Sequence, residues 1–244
     1  MTLETEHTTL FEGKVTVWQP IQGYRFALDS VVLAAFTHPK EGQTVLELGI
    51  GTGAASLALA FQYPDISIHG VDIQTDILPI TQKNIEENAW SERFKLFGGN
   101  LMNRLVEGHF YDHVMMNPPF FEQHTYTNSP HEHKTLSHGE REGALKDWVF
   151  EAHRVLKSRG YLTIIHTSRR LDEILTILSV NFGSIEVFPL WPKAGQPSKR
   201  VLIRARKGVK SPLVLYPGLV LHQDDGTFTK EAASIIHKGN KIRT

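Results

Sequence analysis

The run Asn117-Pro118-Pro119-Phe120-Phe121 sets an amide, two prolines and two aromatic rings directly after the apolar stretch YDHVMMN. The prolines cannot donate to a sheet ladder, so a strand over 111–117 must stop at Asn117 and the chain must leave the sheet there. A tip of that composition can do chemistry. An amino group conjugated to an aromatic ring or a carbonyl is a poor nucleophile, because its lone pair is delocalised. Two acceptors that bind its two N–H hydrogens favour the form with electron density localised on nitrogen. The side-chain oxygen of Asn117 and the backbone carbonyl of Pro118 can be those acceptors, with the prolines fixing where both point, and Phe120 can stack on a planar substrate. The plainer alternative is a structural turn with a buried Phe.

A second constellation lies upstream. In VLELGIGTGAASLALA, Gly49, Gly51 and Gly53 fall at the junction of a strand and a helix, where missing side chains let the backbone turn tightly and approach a ligand. Asp72 ends the following strand. A carboxylate there can accept both hydroxyls of a ribose, since ligands of such sheets bind outside the carboxyl ends of the strands. The spacing G-x-G-x-G departs from the G-x-G-x-x-G of dinucleotide folds, and on these residues alone the ligand is either a dinucleotide or S-adenosylmethionine.

The elements that must position these residues follow from periodicity. From Thr44 onward short β-branched or apolar runs alternate with stretches of helical period, predicting βα units around a mostly parallel sheet. Strands are predicted over 44–49, 67–73, 94–98, 111–117, 161–167, 184–190 and 199–206. Helices are predicted in AASLALAFQ, TQKNIEENA, ALKDWVFEAHRVLKS and RRLDEILTILSVNF, with Gly160 closing the third, and in RFALDSVVLAAFTHP with a cap near Asp29 or Ser30. Leu145, Trp148, Val149, Ala152, Val155 and Leu156 form one apolar stripe. The last two strands are separated only by WPKAGQPS, too short for a parallel crossover, so they should pair antiparallel and leave a reversed edge strand.

Composition bounds the rest. The 244 residues are 41% apolar, enough for one sizeable α/β domain, and Lys plus Arg equals Asp plus Glu at 26 each, so net charge argues for no nucleic-acid partner. With no cysteine, disulfides, thiolate catalysis and Cys-ligated metal sites are excluded. The N-terminus MTLETEHTTLFEG has acidic residues and no apolar core of signal-peptide length, and no segment has the length of a membrane span, which predicts a cytoplasmic protein.

Taken together, GYRFALDSVVLAAF, VLELGIGTGAASLALA, GVDI, NPPFF and PGLVLHQDDGTFTKEAASIIHKG resemble the class I S-adenosylmethionine-dependent methyltransferases with an N-P-P-[FY] motif. Within these they are similar to the bacterial enzymes that methylate the N6 amine of adenine-37 in valine tRNA. The resemblance implies a Rossmann-like α/β fold: a seven-stranded, mostly parallel sheet with one antiparallel edge strand and helices on both faces. It implies one domain over 1–244, with an N-terminal extension over 1–43 whose helix packs near the cofactor site and a C-terminal extension over 207–244. Glu47, Gly49, Gly51 and Gly53 would hold the methionine end of S-adenosylmethionine, Asp72 its ribose and Ile73 its adenine. Asn100 and Leu101, in GGNL, match the place that contacts the adenine amine, where the family more often has Asp; Asn still offers an amide oxygen. Pro79, another departure, should delay its helix to begin near it. The implied partner is tRNA, or ribosomal RNA as the alternative, with the protein a monomer or weak homodimer.

From Val187 to Gln223 there is no acidic residue, while basic residues recur. Along KRVLIRAR, Arg200, Arg204 and Arg206 can point away from the packed face, so that with Lys199 they contact RNA, as could Phe121 at the tip; the competing reading is a solvated edge strand protected by charge. The loop after the tip carries His124, His131, His133 and His138, whose spacing fits no standard zinc site, and no metal is expected. Competing functions are methylation of a ribosomal RNA guanine amine, glutamine methylation of a protein, a nicotinamide-dependent oxidoreductase and an RNA-binding protein without catalysis.

Overall fold

The structure is a computed structural model that describes residues 4–21, 28–100, 103–119 and 145–244. It opens with a hairpin that the periodicity does not announce: β1 (Thr5–Leu10) and β2 (Val15–Pro20), joined through Phe11, Glu12 and Gly13, all at positive φ. Helix α1 (Leu28–Phe36) follows, with Asp29 in its first turn. Then come β3 (Thr44–Leu48), α2 (Ala54–Gln62), β4 (Ser67–Asp72), α3 (Leu78–Glu87), β5 (Phe94–Gly98) and β6 (Tyr111–Met116). The remaining elements are α4 (Leu145–Val155), β7 (Leu156–Thr167), α5 (Leu171–Leu178), β8 (Phe182–Trp191), β9 (Arg200–Lys207), β10 (Val214–Leu215), β11 (Leu219–Val220) and α6 (Lys230–Lys238). Pro79 does sit in the first turn of α3, where its missing N–H has no helical partner to lose.

Among the described residues the main sheet runs β10-β8-β9-β7-β6-β3-β4-β5, with β11 also on β8. All seven predicted strands are present, but the sheet is wider by the two short strands β10 and β11, and the reversed strand is not at the edge. The β8–β9 hairpin folds β9 back into the gap between β7 and β8, where it pairs antiparallel with both. Its residues explain that place. Val201, Leu202, Ile203 and Ala205 are all buried, which an edge strand covered on one face would not achieve. The third predicted helix is also shorter than expected: α4 stops at Val155, and the left-handed residue of the turn is Arg159 (φ 63) rather than Gly160. Gly160 is needed instead for close approach, since a Cβ there would lie 3.0 Å from the Asp112 carbonyl oxygen.

The strands are buried on both faces. Val45, Ile68, Met115 and Ile165 pack with Val32 of α1, Leu57 of α2, Ile235 of α6 and Val17 of the hairpin, while Leu46, Leu48, Val114 and Ile164 pack with Val149 and Ala152 of α4 and Ile174 and Leu178 of α5. This is a three-layer α/β/α arrangement. Each fully buried side chain of this size contributes roughly 1.5–3 kcal/mol relative to exposure. No helix among the described residues is long and apolar enough to cross a membrane.

The hairpin is tied down by two amides of α3. Asn84 Oδ1 accepts from Trp18 N at 2.6 Å and its Nδ2 donates to Trp18 O at 2.9 Å; Asn88 makes the same pair with Thr16 N and O at 3.0 and 2.8 Å. Four residues of helix rise about 6 Å and two residues of strand about 6.7 Å, so side chains at i and i+4 can stand in for the missing ladder of β2. Asn84 Nδ2 also donates to Thr52 O at 2.8 Å, between the second and third glycines of the loop after β3. Asn84→Ala should therefore lower the unfolding free energy by about 2–4 kcal/mol, the sum of three lost hydrogen bonds and the polar groups they leave unmet. Urea unfolding measures this, and a change under about 0.5 kcal/mol would mean that the tether carries no stability.

Candidate cofactor and amine site

The parallel register puts the chemistry-bearing residues in one row. Val71, Leu48, Met116 and Ile164 lie opposite one another in β4, β3, β6 and β7. The next residues along three of these strands are Asp72, Gly49 and Asn117, so the acid, the first glycine and the amide leave the same edge of the sheet side by side. Neighbouring strands are about 4.8 Å apart, which sets Asp72 and Asn117 roughly 10 Å from each other across Gly49. Asn117 is partly buried, Pro118 buried and Pro119 exposed.

The loop between β3 and α2 is built as the glycines suggest. Gly49, Gly51 and Gly53 have φ of 70, 53 and 83, a region L side chains rarely adopt. They differ in what surrounds them. A Cβ on Gly49 would come 2.8 Å from the ring of Trp148 and one on Gly53 3.1 Å from Thr81, whereas Gly51 faces open space with nothing within 4 Å. Its peptide is held from both sides: Gly51 N donates to Asp72 Oδ2 at 2.7 Å, and Thr81 Oγ1 donates to Gly51 O. The open side of Gly51 is thus a rigid stretch of bare backbone that a ligand can approach.

Asp72 also accepts from Gln74 N at 2.8 Å through Oδ1. Each carboxylate oxygen keeps a second lone pair, the acceptor set that two adjacent ribose hydroxyls need. Burial pushes its carboxyl above the ordinary range, while the Gln74 and Gly51 amides pull the other way. Asn100 reaches the same edge because Gly99 N donates to Asp72 O at 2.8 Å, carrying the end of β5 across the end of β4. Ile73 stands beside Asp72 and is 62% exposed, a largely bare apolar side chain. These residues fit a nucleoside-bearing cofactor: bare backbone, an acid with acceptor capacity to spare and an apolar surface on one side.

Glu47 has a different position. It shares the face of β3 that Val45 presents to α2, and its Oε2 accepts from both the backbone N, at 3.1 Å, and the Oγ of Ser56. The helix has Gly53 at its N-cap, which offers no capping side chain, so a carboxyl on the strand supplies the acceptor that the first turn lacks. Full burial pushes Glu47 up to about 8, against the lowering effect of the two Ser56 hydrogen bonds and with a further rise from Asp72.

Of the basic residues expected to meet RNA, the structure separates the two ends of β9. Arg200 lies opposite Thr167 at the Asn117 edge of the sheet, and its Nε donates to Asp29 Oδ2 at 2.9 Å. Lys199 adjoins it. Arg206 lies opposite Tyr161, six residues or roughly 20 Å toward the other edge. Arg204 stands between them and is paired with Glu186 on β8, Nη2 to Oε2 at 2.6 Å and Nε to Oε1 at 3.3 Å. Because β9 is interior, that arginine needs a cross-strand acid. Leu101, Phe120, Phe121 and the four loop histidines lie outside the described residues.

Periodicity reads Trp148 as part of the stripe of α4, yet its ring closes over Gly49, and Thr81, Asn84 and Ser56 were not singled out at all. The signal for Thr81 and Asn84 is the helical spacing that sets them and Asn88 on one side of α3.

The raised Glu47 makes a stability prediction. Between the ordinary carboxyl value of 4.5 and about 8, the folded protein keeps a proton that the unfolded chain releases. Its contribution to stability therefore falls as pH rises through that window. Relative to Glu47→Gln, which keeps an acceptor oxygen for Ser56, the native protein should lose unfolding free energy from pH 5 to pH 8 and level off above. A difference curve without slope in denaturant titrations would show that Glu47 ionises normally.

Comparison with known proteins agrees with this geometry. The model of the family described as "Methyltransferase small domain" matches residues 27–189. A protein of Dyadobacter fermentans named tRNA1(Val) (adenine(37)-N6)-methyltransferase is 25% identical over 215 residues, 86% of this chain and 88% of its own. A protein of the same name from Shewanella baltica strain OS195 is 26% identical over 222 residues, 88% and 91% of the two chains. The crystal structure of a predicted O-methyltransferase from Agrobacterium tumefaciens shares the fold, with a TM-score of 0.73 at 21% identity over 88% of this chain and 98% of that one. The open choice between a dinucleotide and S-adenosylmethionine is thereby settled against the nicotinamide-dependent oxidoreductase. With a bare-backbone loop and a buried acid on one sheet edge and a family model matched over more than half of its residues, the chain belongs to the methyltransferase small domain family.

Proposed function

We propose that the protein transfers a methyl group from S-adenosylmethionine to the N6 amine of an adenine in RNA, with adenine-37 of valine tRNA as the target. The observation that carries this is the row Asp72, Gly49, Asn117, which follows from the pairing of β4, β3 and β6. It brings a ribose acceptor and an amine acceptor to strand ends on either side of Gly49. The names of the two curated relatives, aligned over most of this chain, support the choice of adenine and of tRNA.

When bound, S-adenosylmethionine supplies a methyl carbon that bonds to the amine nitrogen as its bond to sulfur breaks. The residues of the chain do the rest. Asp72 takes the ribose hydroxyls, the bare backbone at Gly51 lets the cofactor approach, Asn100 offers an amide oxygen beside Asp72, and Glu47 braces the loop from beneath through Ser56. Asn117 Oδ1 and the Pro118 carbonyl accept the two N–H hydrogens of the adenine amine, which draws the lone pair out of the ring and aims it. No strong base is needed, because the methylated nitrogen gives up its proton to water afterwards. Phe120, next after the prolines, is the candidate platform for the splayed base, and Lys199 and Arg200 lie on the same edge to meet the backbone around it.

Asn117→Ala should lower kcat by roughly 10²–10³, the loss seen when one preorganised polar contact to a reacting group is removed, while cofactor affinity stays near native. The assay is incubation of unmodified total tRNA with methyl-labelled cofactor, followed by nucleoside digestion and mass analysis. Label in N6-methyladenosine with a slowed variant is the expected result. Label in a guanosine product would transfer the reading to a guanine amine, and full turnover by the variant would remove Asn117 from the mechanism.

A further inference from the structure

At the sheet edge opposite Asn117 there is a cleft of about 370 Å³. It lies where β6, β7 and β9 meet the segment after α1, on the face that α1 covers. Five of its lining residues are cations: Lys40, Lys157, Arg159, Arg204 and Arg206. Two of these are neutralised within the protein, Lys157 by Asp112 at 2.9 Å and Arg204 by Glu186. Lys40, Arg159 and Arg206 have no ion pair among the described residues. Arg206 is nevertheless positioned, since its Nε donates to Arg159 O at 2.9 Å and its guanidinium lies 5.1 Å over the Tyr161 ring, leaving both terminal nitrogens for a ligand. Tyr161 is in turn stacked on His113 at 5.3 Å.

His113 forms the neutral floor beneath Tyr161. It is buried, and its Nε2 lies 3.2 Å from Gln43 Oε1. Gln43 Oε1 also accepts from Lys40 N at 2.7 Å, so it must act as an acceptor and Nε2 as the donor. A cleft that gathers three cations without ion pairs among the described residues, one of them held in place by the Arg159 carbonyl and the Tyr161 ring, has the composition of an anion site rather than of a packing defect.

We propose that this cleft is a phosphate-binding site that takes a backbone phosphate of the RNA substrate, remote from the methylated base; the identity of the ligand rests on the reading of RNA as the substrate. The separation suits it. Arg206 lies four residues of strand, roughly 13 Å, from the level of Asn117 and two strands across from it, farther than a single nucleotide reaches from base to phosphate. The cleft adds affinity and register without reading sequence, as phosphate contacts do.

The test is a double variant, Lys40→Gln with Arg159→Asn, at two exposed positions where Asn also tolerates the left-handed backbone of Arg159. Filter binding of unmodified tRNA over a salt series should show affinity falling about 10-fold or more at low salt and the salt slope shrinking by about 1–2. Turnover at saturating tRNA and thermal stability should remain native. Inorganic phosphate, added as a separate probe, should raise the Tm of the native protein and not of the variant. If the variant binds tRNA with native affinity and slope, the RNA assignment is overturned, and a phosphate shift that survives only in the native protein then identifies a free-phosphate site. Absence of label in any RNA, by contrast, counts against the substrate reading and not against the cleft, because binding is measured without turnover.

Discussion

Three parallel strands that end in the same row are the constraint on which the rest of the molecule depends. Because Val71, Leu48 and Met116 are held in register by the ladders of β4, β3 and β6, the residues that follow them cannot drift relative to one another. Parallel pairing requires each strand to be buried on both faces by crossover helices, and here α1 and α2 cover one face and α4 and α5 the other. The tip at Asn117 and the acid at Asp72 are thus placed by the packed interior of the sheet, although both lie outside it. A shift of one residue in β6 would reverse its buried face and move Asn117 out of the row together, which is why register and chemistry are one problem in this fold.

The glycine loop shows how local strain is supported from a distance. Its left-handed residues are stabilised by contacts from four elements: Asp72 at the end of β4, Thr81 and Asn84 on α3, Ser56 with Glu47 across the start of α2, and Trp148 of α4 over Gly49. Asn84 connects this loop to the N-terminal hairpin as well, so that a segment far from the strand ends helps hold the backbone at Thr52. Glu47 illustrates the cost of such an arrangement. A carboxyl withdrawn from water resists ionisation, yet the same burial makes it an acceptor that water does not compete for at the first turn of α2.

The central strands could be read from the chain because burial on both faces leaves nearly continuous apolar runs such as those ending at Leu48 and Met116. The glycines and the acid were equally legible, since their spacing from a strand end is local. The place of β9 was not. Which strands a hairpin lies between depends on partners far away in sequence, and the arginines of KRVLIRAR looked like an outward stripe until the interior position of the strand required Glu186 for Arg204. The first hairpin was invisible for a related reason. TEHTTL alternates too weakly to announce a strand, and much of what fixes the hairpin comes from two amides 66 and 72 residues further along the chain.

The central claim is that two acceptors on the Asn-Pro-Pro tip converge on the amine to be methylated. It is tested most directly by a crystal structure of the protein with S-adenosylhomocysteine and an unmodified anticodon stem-loop of valine tRNA. The account predicts Asn117 Oδ1 and the Pro118 carbonyl oxygen both about 2.7–3.2 Å from one adenine N6, with the Asp72 carboxylate on the ribose hydroxyls of the cofactor product. An adenine bound with its N6 away from both oxygens, or an Asn117 amide turned from the base, would contradict it.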